Sequence, residues 1–270
     1  MKITFLGGGN MATALTGGLL KKGFASTDIK VIELQAENRQ RLVRDFGVAC
    51  FDSPTATALT CDVLVLAVKP QQMRAALAPV APHLKDQLVV SVAAGMRIAD
   101  ISRWAGGYRR IVRTMPNTPA LIGAGITGLY AGPEVDAAGR SQAERVLAAV
   151  GKTLWIGDEA QMDAVTAVSG SGPAYVFYFI EALQRAAREL GFGEADARTL
   201  ALETFVGAAA LAAGASEDAA VLRGRVTSKG GTTEAALRSM VADGVGEAIV
   251  RAVKAAEARG RELGELLGKD

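Results

Sequence analysis

The sequence predicts an α/β fold, in which a doubly wound N-terminal sheet (residues 1–160) is followed by an all-helical domain (residues 161–270). Apolar strand patterns alternate with helical patterns over the first part of the chain, as in a parallel sheet covered on both faces. A glycine-rich turn follows the first strand pattern, and strand patterns stop after about Gln161. With 270 residues, of which 50% are hydrophobic, the chain can form two domains with substantial cores.

The first strand pattern, Lys2–Leu6, leads into a dinucleotide-binding fingerprint. Gly7, Gly9 and Ala12 stand at the G-x-G-x-x-A positions, and a helical pattern follows. The first glycine permits a tight turn, the second lets a pyrophosphate approach the backbone, and the small third residue lets the helix pack closely on the strand. The sequence therefore predicts a Rossmann-type domain that binds NADPH or NADH.

The next strand pattern, Ile29–Ile32, ends at Glu33. An acidic side chain at this position of a Rossmann-type domain accepts hydrogen bonds from ribose hydroxyls. We therefore predict that Glu33 binds the cofactor. Its negative charge favours a free ribose diol over a 2'-phosphate.

Strand and helix patterns continue to alternate up to residue 160. The predicted strands are Val63–Leu66, Leu88–Ser91, Arg110–Arg113, Gly125–Tyr130 and Thr153–Ile156, and the predicted helices are Glu37–Phe46, one that starts at Gln71, and Gly139–Ala149. Ligands of open α/β sheets lie over the carboxyl ends of the strands. The segments Ala67–Pro70, Val92–Gly95 and Met115–Pro119 follow three of these ends, so we expect them to face the dinucleotide, with Asn117 near the nicotinamide ribose.

The second part of the chain contains helical patterns only. They run over Val176–Leu190, Ala195–Ala213, Glu217–Leu222, a segment that ends near Val241, and Val245–Leu267. These helices carry more apolar surface than a lone bundle can cover. We predict a dimerisation domain. Burial of these faces against the chain's own sheet domain is the alternative.

A loop rich in hydroxyls and glycines, Thr227–Thr233, precedes one of these helices. Backbone N–H groups at a helix start lack internal partners and lie at the positive end of the helix dipole, so they can bind a small carboxylate or phosphate. Gly230 and Gly231 let the backbone approach such a ligand closely. The loop is therefore predicted to be an anion site, and an ordinary capped helix start is the alternative.

Composition excludes several classes of function. The formal net charge is +2 without long runs of one sign, so neither nucleic acid nor a membrane surface is an expected partner. We expect a cytoplasmic protein, because the chain enters a strand pattern directly and has no apolar stretch long enough to span a bilayer. Cys50 and Cys61 make neither a disulfide framework nor a zinc site, and His83 is the only histidine, so no metal site is predicted.

Four motifs in order make the chain resemble the pyrroline-5-carboxylate reductase family over nearly its whole length. They are Ala67–Pro70, Met115–Pro119, Ser169–Tyr175 and Thr227–Thr233. The resemblance implies NAD(P)H-dependent reduction of 1-pyrroline-5-carboxylate to L-proline, the final step of proline biosynthesis. The apolar helices predict a homodimer, and the sequence leaves open a higher homo-oligomer built from dimers.

The resemblance also assigns roles by position. The implied substrate-binding residues are Glu217, Ser228, Gly230, Gly231, Thr232 and Thr233. With Glu33 and Asn117 from the sheet pattern, the predicted cofactor-binding residues are Leu6, Gly7, Gly8, Gly9, Asn10, Met11, Glu33, Ala67, Val68, Lys69, Pro70, Val92, Ala93, Ala94, Gly95 and Asn117. Thr233 is the predicted catalytic residue, because a hydroxyl at the helix start can meet the ring nitrogen while the neighbouring amides hold the carboxylate.

The chain departs from the family pattern at three places. Lys229 stands where the family often has proline, Glu33 stands where many relatives have a small or polar residue, and the segment after Glu217 is one residue shorter than in some relatives. Glu33 opposes the NADPH preference that the family implies, so the sequence leaves the choice between NADPH and NADH open.

Two other functions remain as alternatives. A β-hydroxyacid dehydrogenase has a similar domain order, but those enzymes use a lysine on the first interdomain helix, and the segment Tyr175–Glu189 contains none. A non-catalytic dinucleotide-sensing protein would bind the cofactor and dimerise without imine-dependent turnover. The sequence does not decide whether the site is built within one chain or across two, nor whether proline inhibits it.

Overall fold

The computed structural model describes residues 1–269, which form two compact units. The first unit comprises Met1–Ser171 and the segment from Ala256 onward, and the second comprises Gly172–Ala255. The predicted fold class is confirmed, because all the strands lie in the first unit and the second is helical. The predicted domains, 1–160 and 161–270, stay a prediction; the compact units divide the chain at different residues.

The first unit contains one eight-stranded sheet, with the strand order β3-β2-β1-β4-β5-β6-β7-β8. The strands are β1 Ile3–Leu6, β2 Ile29–Ile32, β3 Ala49–Phe51, β4 Val63–Leu66, β5 Leu88–Ser91, β6 Ile111–Met115, β7 Gly125–Ala131 and β8 Gly151–Trp155. Strands β1 to β6 are parallel, and their order is that of a dinucleotide-binding doubly wound sheet. Strand β7 runs antiparallel to β6, and β8 runs parallel to β7.

The sheet has an apolar core on each face. Residues alternate between the faces of a strand, so Phe5 and Val65 belong to one buried cluster while Leu64 and Leu66 belong to the other. All the residues of β1, β4 and β5 are buried. This explains why these strands read as continuous apolar runs rather than as alternating patterns.

Within residues 1–171, six helices cover the sheet or connect its strands. They are α1 Asn10–Lys21, α2 Ala36–Phe46, α3 Met73–Leu77, α4 Ile98–Trp104, α5 Ala137–Leu147 and α6 Gln161–Val165. Helix α1 packs closely on the segment before β8: a Cβ atom added at Gly18 would lie 2.6 Å from the carbonyl oxygen of Ala149. Only glycine allows this approach, which fixes the position of the helix that follows the fingerprint.

A buried ionic cluster joins β6 to the chain around α6. Arg113 is 3% exposed, and its guanidinium contacts Glu159 at 3.2 Å and Asp163 at 3.3 Å. Glu159 also accepts a hydrogen bond from the first backbone N–H of α4, that of Ile98, at 2.8 Å. Since a buried charge needs partners of this kind, the cluster holds β6, α4 and α6 in one arrangement.

The second unit is made of helices and their connections. Its helices are α7 Gly172–Glu189, α8 Glu194–Gly214, α9 Ala219–Arg225, α10 Thr232–Ala242 and the first part of α11 Val245–Leu267, which ends in the first unit. Within the single chain, large apolar side chains such as Phe177, Leu211 and Val241 are more than half exposed. None of the helices within residues 1–269 combines the length and apolar composition needed to cross a bilayer.

The structure adds elements that the sequence patterns did not reveal. Strand β3 has three residues and pairs only with β2, so it is too short for a periodic pattern. Helix α4 was also missed. A π-helical turn, Thr166–Gly170, continues α6, and it is closed by the hydrogen bond from the Ser171 N–H to the Thr166 carbonyl at 2.8 Å.

Candidate active site

The fingerprint turn leaves the start of α1 open to a ligand. Gly7 has a φ of +102°, and a Cβ atom there would lie 2.7 Å from the Ala67 carbonyl oxygen, so only glycine fits. Gly9 precedes α1, no side chain caps the helix, and no acidic residue lies in its first turn. A Cβ atom at Gly9 would have nothing within 4 Å. The free N–H groups and the open space fit the diphosphate of a dinucleotide.

A cavity of about 540 Å³ lies at the carboxyl ends of β1, β2 and β4. The predicted cofactor-binding residues that line it are Leu6, Gly7, Gly8, Gly9, Glu33, Ala67, Val68 and Lys69. A second cavity, of about 610 Å³, lies at the opposite strand ends, beside Asp62, Gln87 and Arg110. Because ligands of such sheets bind at the carboxyl ends, the first cavity is the candidate cofactor site.

Glu33 forms part of the wall of this cavity and also holds the fingerprint turn. One carboxylate oxygen accepts a hydrogen bond from the Gly8 N–H at 2.8 Å, and the other accepts one from the Gln35 N–H at 2.8 Å. Each oxygen keeps further lone pairs that can accept from a hydroxyl. Arg39 Nη1 donates to the carbonyls of Glu33 and Leu34, both at 2.7 Å, so the backbone of this loop already engages that guanidinium.

Other predicted cofactor contacts lie outside the cavity wall. They are Asn10, Met11, Pro70, Val92, Ala93, Ala94, Gly95 and Asn117. The loop after β5 is backed by the end of α11: a Cβ atom added at Gly264 would lie 3.1 Å from the carbonyl oxygen of Gly95, and Leu267 packs against one of the core clusters. The last helix therefore supports the loop that was predicted to face the nicotinamide.

Asn117 joins two segments of the first unit through its side-chain amide. Its Oδ1 accepts a hydrogen bond from the Ile126 N–H at 3.0 Å, and its Nδ2 donates to the Ser169 carbonyl at 3.2 Å. Ser169 belongs to the π-helical turn, and π-helical turns occur frequently at functional sites. The sequence analysis assigned Asn117 to the cofactor and missed this connection, because neither partner is close to it in sequence.

The glycine-rich loop in the second unit forms a turn followed directly by α10. The Gly231 N–H donates to the Ser228 carbonyl at 3.0 Å, and Gly230 has a φ of +74°, as the third residue of a type II turn requires. Gly231 precedes α10 and no side chain caps the helix. The first helical bond runs from the Ala235 N–H to the Gly231 carbonyl, so the N–H groups before it, including that of Thr233, lack helical partners.

Glu217 lies at the other end of the short helix α9. Its carboxylate accepts a hydrogen bond from Arg225 Nη2 at 2.5 Å. Arg225 stands two residues before Thr227, so the ion pair links Glu217 to the start of the loop. The predicted substrate-binding residues therefore all lie in the second unit, whereas the predicted cofactor-binding residues all lie in the first.

The two cysteines are poor nucleophiles in this environment. Burial is the largest influence on both thiols, and it raises the pKa of Cys50 and of Cys61 above the usual value. A thiol with a raised pKa has less of the reactive thiolate at neutral pH.

Comparisons with known proteins identify the family. Residues 159–263 match the family described as "Pyrroline-5-carboxylate reductase dimerisation", and residues 2–95 match "NADP oxidoreductase coenzyme F420-dependent". A pyrroline-5-carboxylate reductase of Pseudomonas aeruginosa is 46% identical over 269 residues, which cover 99% of this chain and 98% of the relative. The chain belongs to the pyrroline-5-carboxylate reductase family. A relative of that name from Haemophilus influenzae is 40% identical and covers 97% of each chain.

Two solved structures share the fold over nearly all of this chain, one of a pyrroline-5-carboxylate reductase and one of a pyrroline carboxylate reductase. The structure from Coxiella burnetii has a TM-score of 0.92 at 39% identity and covers 97% of this chain and 98% of its own. The structure from Plasmodium falciparum, with NADP bound, has a TM-score of 0.86 at 27% identity and covers 98% of both chains. The predicted resemblance is thus confirmed. The protein is an oxidoreductase that uses NAD(P)H, and the match to a dimerisation family indicates a homo-oligomer.

Replacing Asn117 by aspartate should destabilise the protein even without cofactor. Aspartate can still accept from the Ile126 N–H, but it cannot donate to the Ser169 carbonyl and places negative charge beside that oxygen. We expect the free energy of unfolding to fall by about 1–3 kcal/mol, the usual cost of an unmet partly buried hydrogen bond. Urea denaturation of the cofactor-free protein measures this free energy of unfolding.

Asn38→Asp is the matched control, because Asn38 makes only an exposed side-chain bond in the first turn of α2. An acidic residue is acceptable at that position of a helix, so this variant should keep the stability of the wild type. Equal stability of Asn117→Asp, Asn38→Asp and wild type in the absence of cofactor would contradict the structural role of Asn117.

Proposed function

We propose that this protein reduces 1-pyrroline-5-carboxylate to L-proline with NAD(P)H. One observation carries the proposal: a chain of this family combines an uncapped helix start beside the dinucleotide fingerprint with a second uncapped helix start, flanked by hydroxyls, in its helical unit. The first suits a diphosphate and the second suits a small carboxylate. The membership of the family favours this function over both a β-hydroxyacid dehydrogenase and a non-catalytic sensing protein.

Reduction of the cyclic imine needs a hydride at the ring carbon and a proton at the ring nitrogen. Bound NAD(P)H supplies the hydride. Because an imine nitrogen is basic, the protein needs no strong acid, and a hydroxyl that hydrogen-bonds to the nitrogen suffices. This chemistry agrees with a chain that contains a single histidine.

The substrate loop would supply the contacts that position the imine. The N–H groups of Thr232 and Thr233 precede the first helical bond of α10 and would hold the carboxylate, while Ser228 adds a hydroxyl at the other end of the turn. Glu217 would lie near the ring amine, as in the family. Most of the rate enhancement would come from orientation, since a fixed near-attack geometry lowers the entropic part of the barrier.

In the first unit, Glu33 would contact the ribose of the adenosine half of the cofactor. Its two backbone hydrogen bonds fix the carboxylate at the cavity wall, and its charge opposes a 2'-phosphate. The other predicted cofactor-binding residues, which follow the carboxyl ends of the strands, would contact the diphosphate and the nicotinamide. We propose that both NADPH and NADH are used, with Glu33 shifting the preference toward NADH.

Thr233→Val should lower kcat by about 10- to 1000-fold, the range for losing one hydrogen-bond or proton-transfer contact in the transition state. Valine keeps the branched shape and removes only the hydroxyl. The measurement is the imine-dependent loss of the near-ultraviolet absorbance of the reduced nicotinamide, which wild-type protein must show if the proposed function is right.

Thr233→Ser is the control, because it restores the hydroxyl and should retain more activity than the valine variant. Cofactor affinity and thermal stability should be the same in all three proteins. If the valine variant turns over with wild-type kcat and KM, solvent or Ser228 supplies the contact to the nitrogen, and the assignment of Thr233 is wrong.

Glu33→Ser should raise the ratio of kcat/KM for NADPH to that for NADH by about 5- to 50-fold, because it removes a like charge from the 2'-phosphate. Glu33→Gln also removes the charge but keeps the length of the side chain and one acceptor oxygen for the fingerprint turn, so it loses only one of the two backbone hydrogen bonds. Steady-state kinetics with each cofactor measure the ratio. A ratio that stays unchanged in both variants would show that Glu33 does not face the ribose.

We propose that the protein is an obligate homodimer formed by the helical segment, residues 161–270, because this segment leaves large apolar side chains exposed in the single chain. Sedimentation equilibrium at assay concentration should give the mass of a dimer or of an assembly of dimers. Leu211→Glu places a charge on this apolar surface and should weaken the assembly and its activity. Leu154→Glu, an exposed site outside the segment, should do neither. A stable, active monomer would contradict the proposal.

A further inference from the structure

The carboxylate of Glu234 is bound by the turn that precedes its own helix. Its Oε2 accepts a hydrogen bond from the Gly230 N–H at 2.5 Å. Glu234 is the third residue of α10, a position from which a glutamate commonly reaches back to the backbone at a helix start. Here the partner lies one residue before the N-cap, inside the turn, so the side chain links the helix to the turn.

That turn has few other restraints. One backbone hydrogen bond, from the Gly231 N–H to the Ser228 carbonyl, closes it. Within the single chain Lys229 and Gly230 are exposed, and a Cβ atom at Gly230 would have nothing within 4 Å, so no packing inside the chain holds the turn. In a type II turn the second residue is favourable for proline, whose ring fixes φ near the required value. This chain has Lys229 there, and a lysine does not fix φ.

The Gly230 N–H belongs to the central peptide of the turn. Type I and type II turns differ by a flip of this peptide, which reverses the directions of its N–H and C=O groups. The hydrogen bond to Glu234 holds the peptide in one orientation. We propose that Glu234 is a positioning residue: its carboxylate fixes the central peptide of the Ser228–Gly231 turn and so preorganises the substrate loop, in place of the restraint that a proline at position 229 would give. The inference rests on the proposed function of that loop.

Because Glu234 is charged, the direction in which the KM for the imine changes on its removal is informative. A carboxylate beside an anion site repels a second carboxylate, so if Glu234 only competed with the substrate, its removal would lower the KM for the imine. If it positions the turn, its removal raises that KM, because the loop must then be ordered at the expense of binding free energy. The direction of the change separates the two roles.

The first experiment compares Glu234→Ala with Glu234→Gln in the full-length protein. We expect the alanine variant to raise the KM for pyrroline-5-carboxylate by about 3- to 30-fold, the range for losing one hydrogen bond with a charged acceptor. The glutamine variant keeps an acceptor oxygen and should change less. The KM for NADPH should stay within about twofold in both variants, since only the substrate loop is affected.

The second experiment tests rescue by a backbone restraint. Lys229→Pro removes no hydrogen bond within residues 1–269, because none there involves the Lys229 N–H, and it suits the second position of a type II turn. In the double variant with Glu234→Ala, Lys229→Pro should return the KM for the imine to within about threefold of wild type. Proline limits the conformations of the unbound loop, so less free energy is lost when the substrate orders the loop. Lys229→Ala removes the same positive charge without fixing φ and should not rescue.

The inference is overturned if Glu234→Ala leaves the KM for the imine unchanged or lowers it, or if proline rescues no better than alanine at position 229. Amide hydrogen exchange at Gly230 gives a readout that does not depend on activity: exchange should be about tenfold faster in Glu234→Ala than in wild type. If wild-type protein shows no imine-dependent oxidation of NADPH, the proposed function fails. The exchange rates then decide by themselves whether Glu234 restrains the turn.

Discussion

The proposed chemistry depends on two helix starts whose backbone N–H groups have no side-chain partner. Helices α1 and α10 each follow a glycine N-cap, Gly9 and Gly231, in extended conformation. A serine or aspartate in place of glycine at the N-cap would stabilise each helix by only about a few tenths of a kcal/mol, so glycine keeps the donors free for an anion at little cost in stability. Two anionic groups can thus be bound without clusters of basic residues, which is consistent with a net charge of only +2.

Several side chains near these helix starts serve the fold and the candidate site together. Glu33 closes the fingerprint turn through Gly8 and also forms the wall of the cofactor cavity. Asn117 joins β7 to the π-helical turn at the end of a strand where a ligand is expected. Activity measurements on variants do not separate the structural role of such residues from their role in binding, because their loss changes both the stability of the protein and the shape of the site. Stability measured without ligand separates the two effects.

The sequence predicted the parts of this structure that depend on local chemistry. The fingerprint was predictable because Gly7 adopts a positive φ and contacts the backbone closely, which no other residue allows. The buried parallel strands were predictable because they are continuous apolar runs. The antiparallel direction of β7, the short edge strand β3 and the π-helical turn depend on pairing and packing between distant segments. The same limit applies to the site. The loop Thr227–Thr233 was predictable from its composition, whereas the hydrogen bond from the Gly230 N–H to Glu234 could be seen only in the structure.

The first unit is discontinuous in sequence, and this affects how the chain is made. Helix α11 starts in the second unit and ends in the first, where Gly264 lies against Gly95 and Leu267 completes an apolar cluster. A ribosome releases the N-terminal part of a chain first, and continuous domains fold as they emerge. Here the loop after β5 receives its backing only after the residues of α11 have been synthesised. The first unit can therefore complete this apolar cluster only after the whole helical unit has been synthesised.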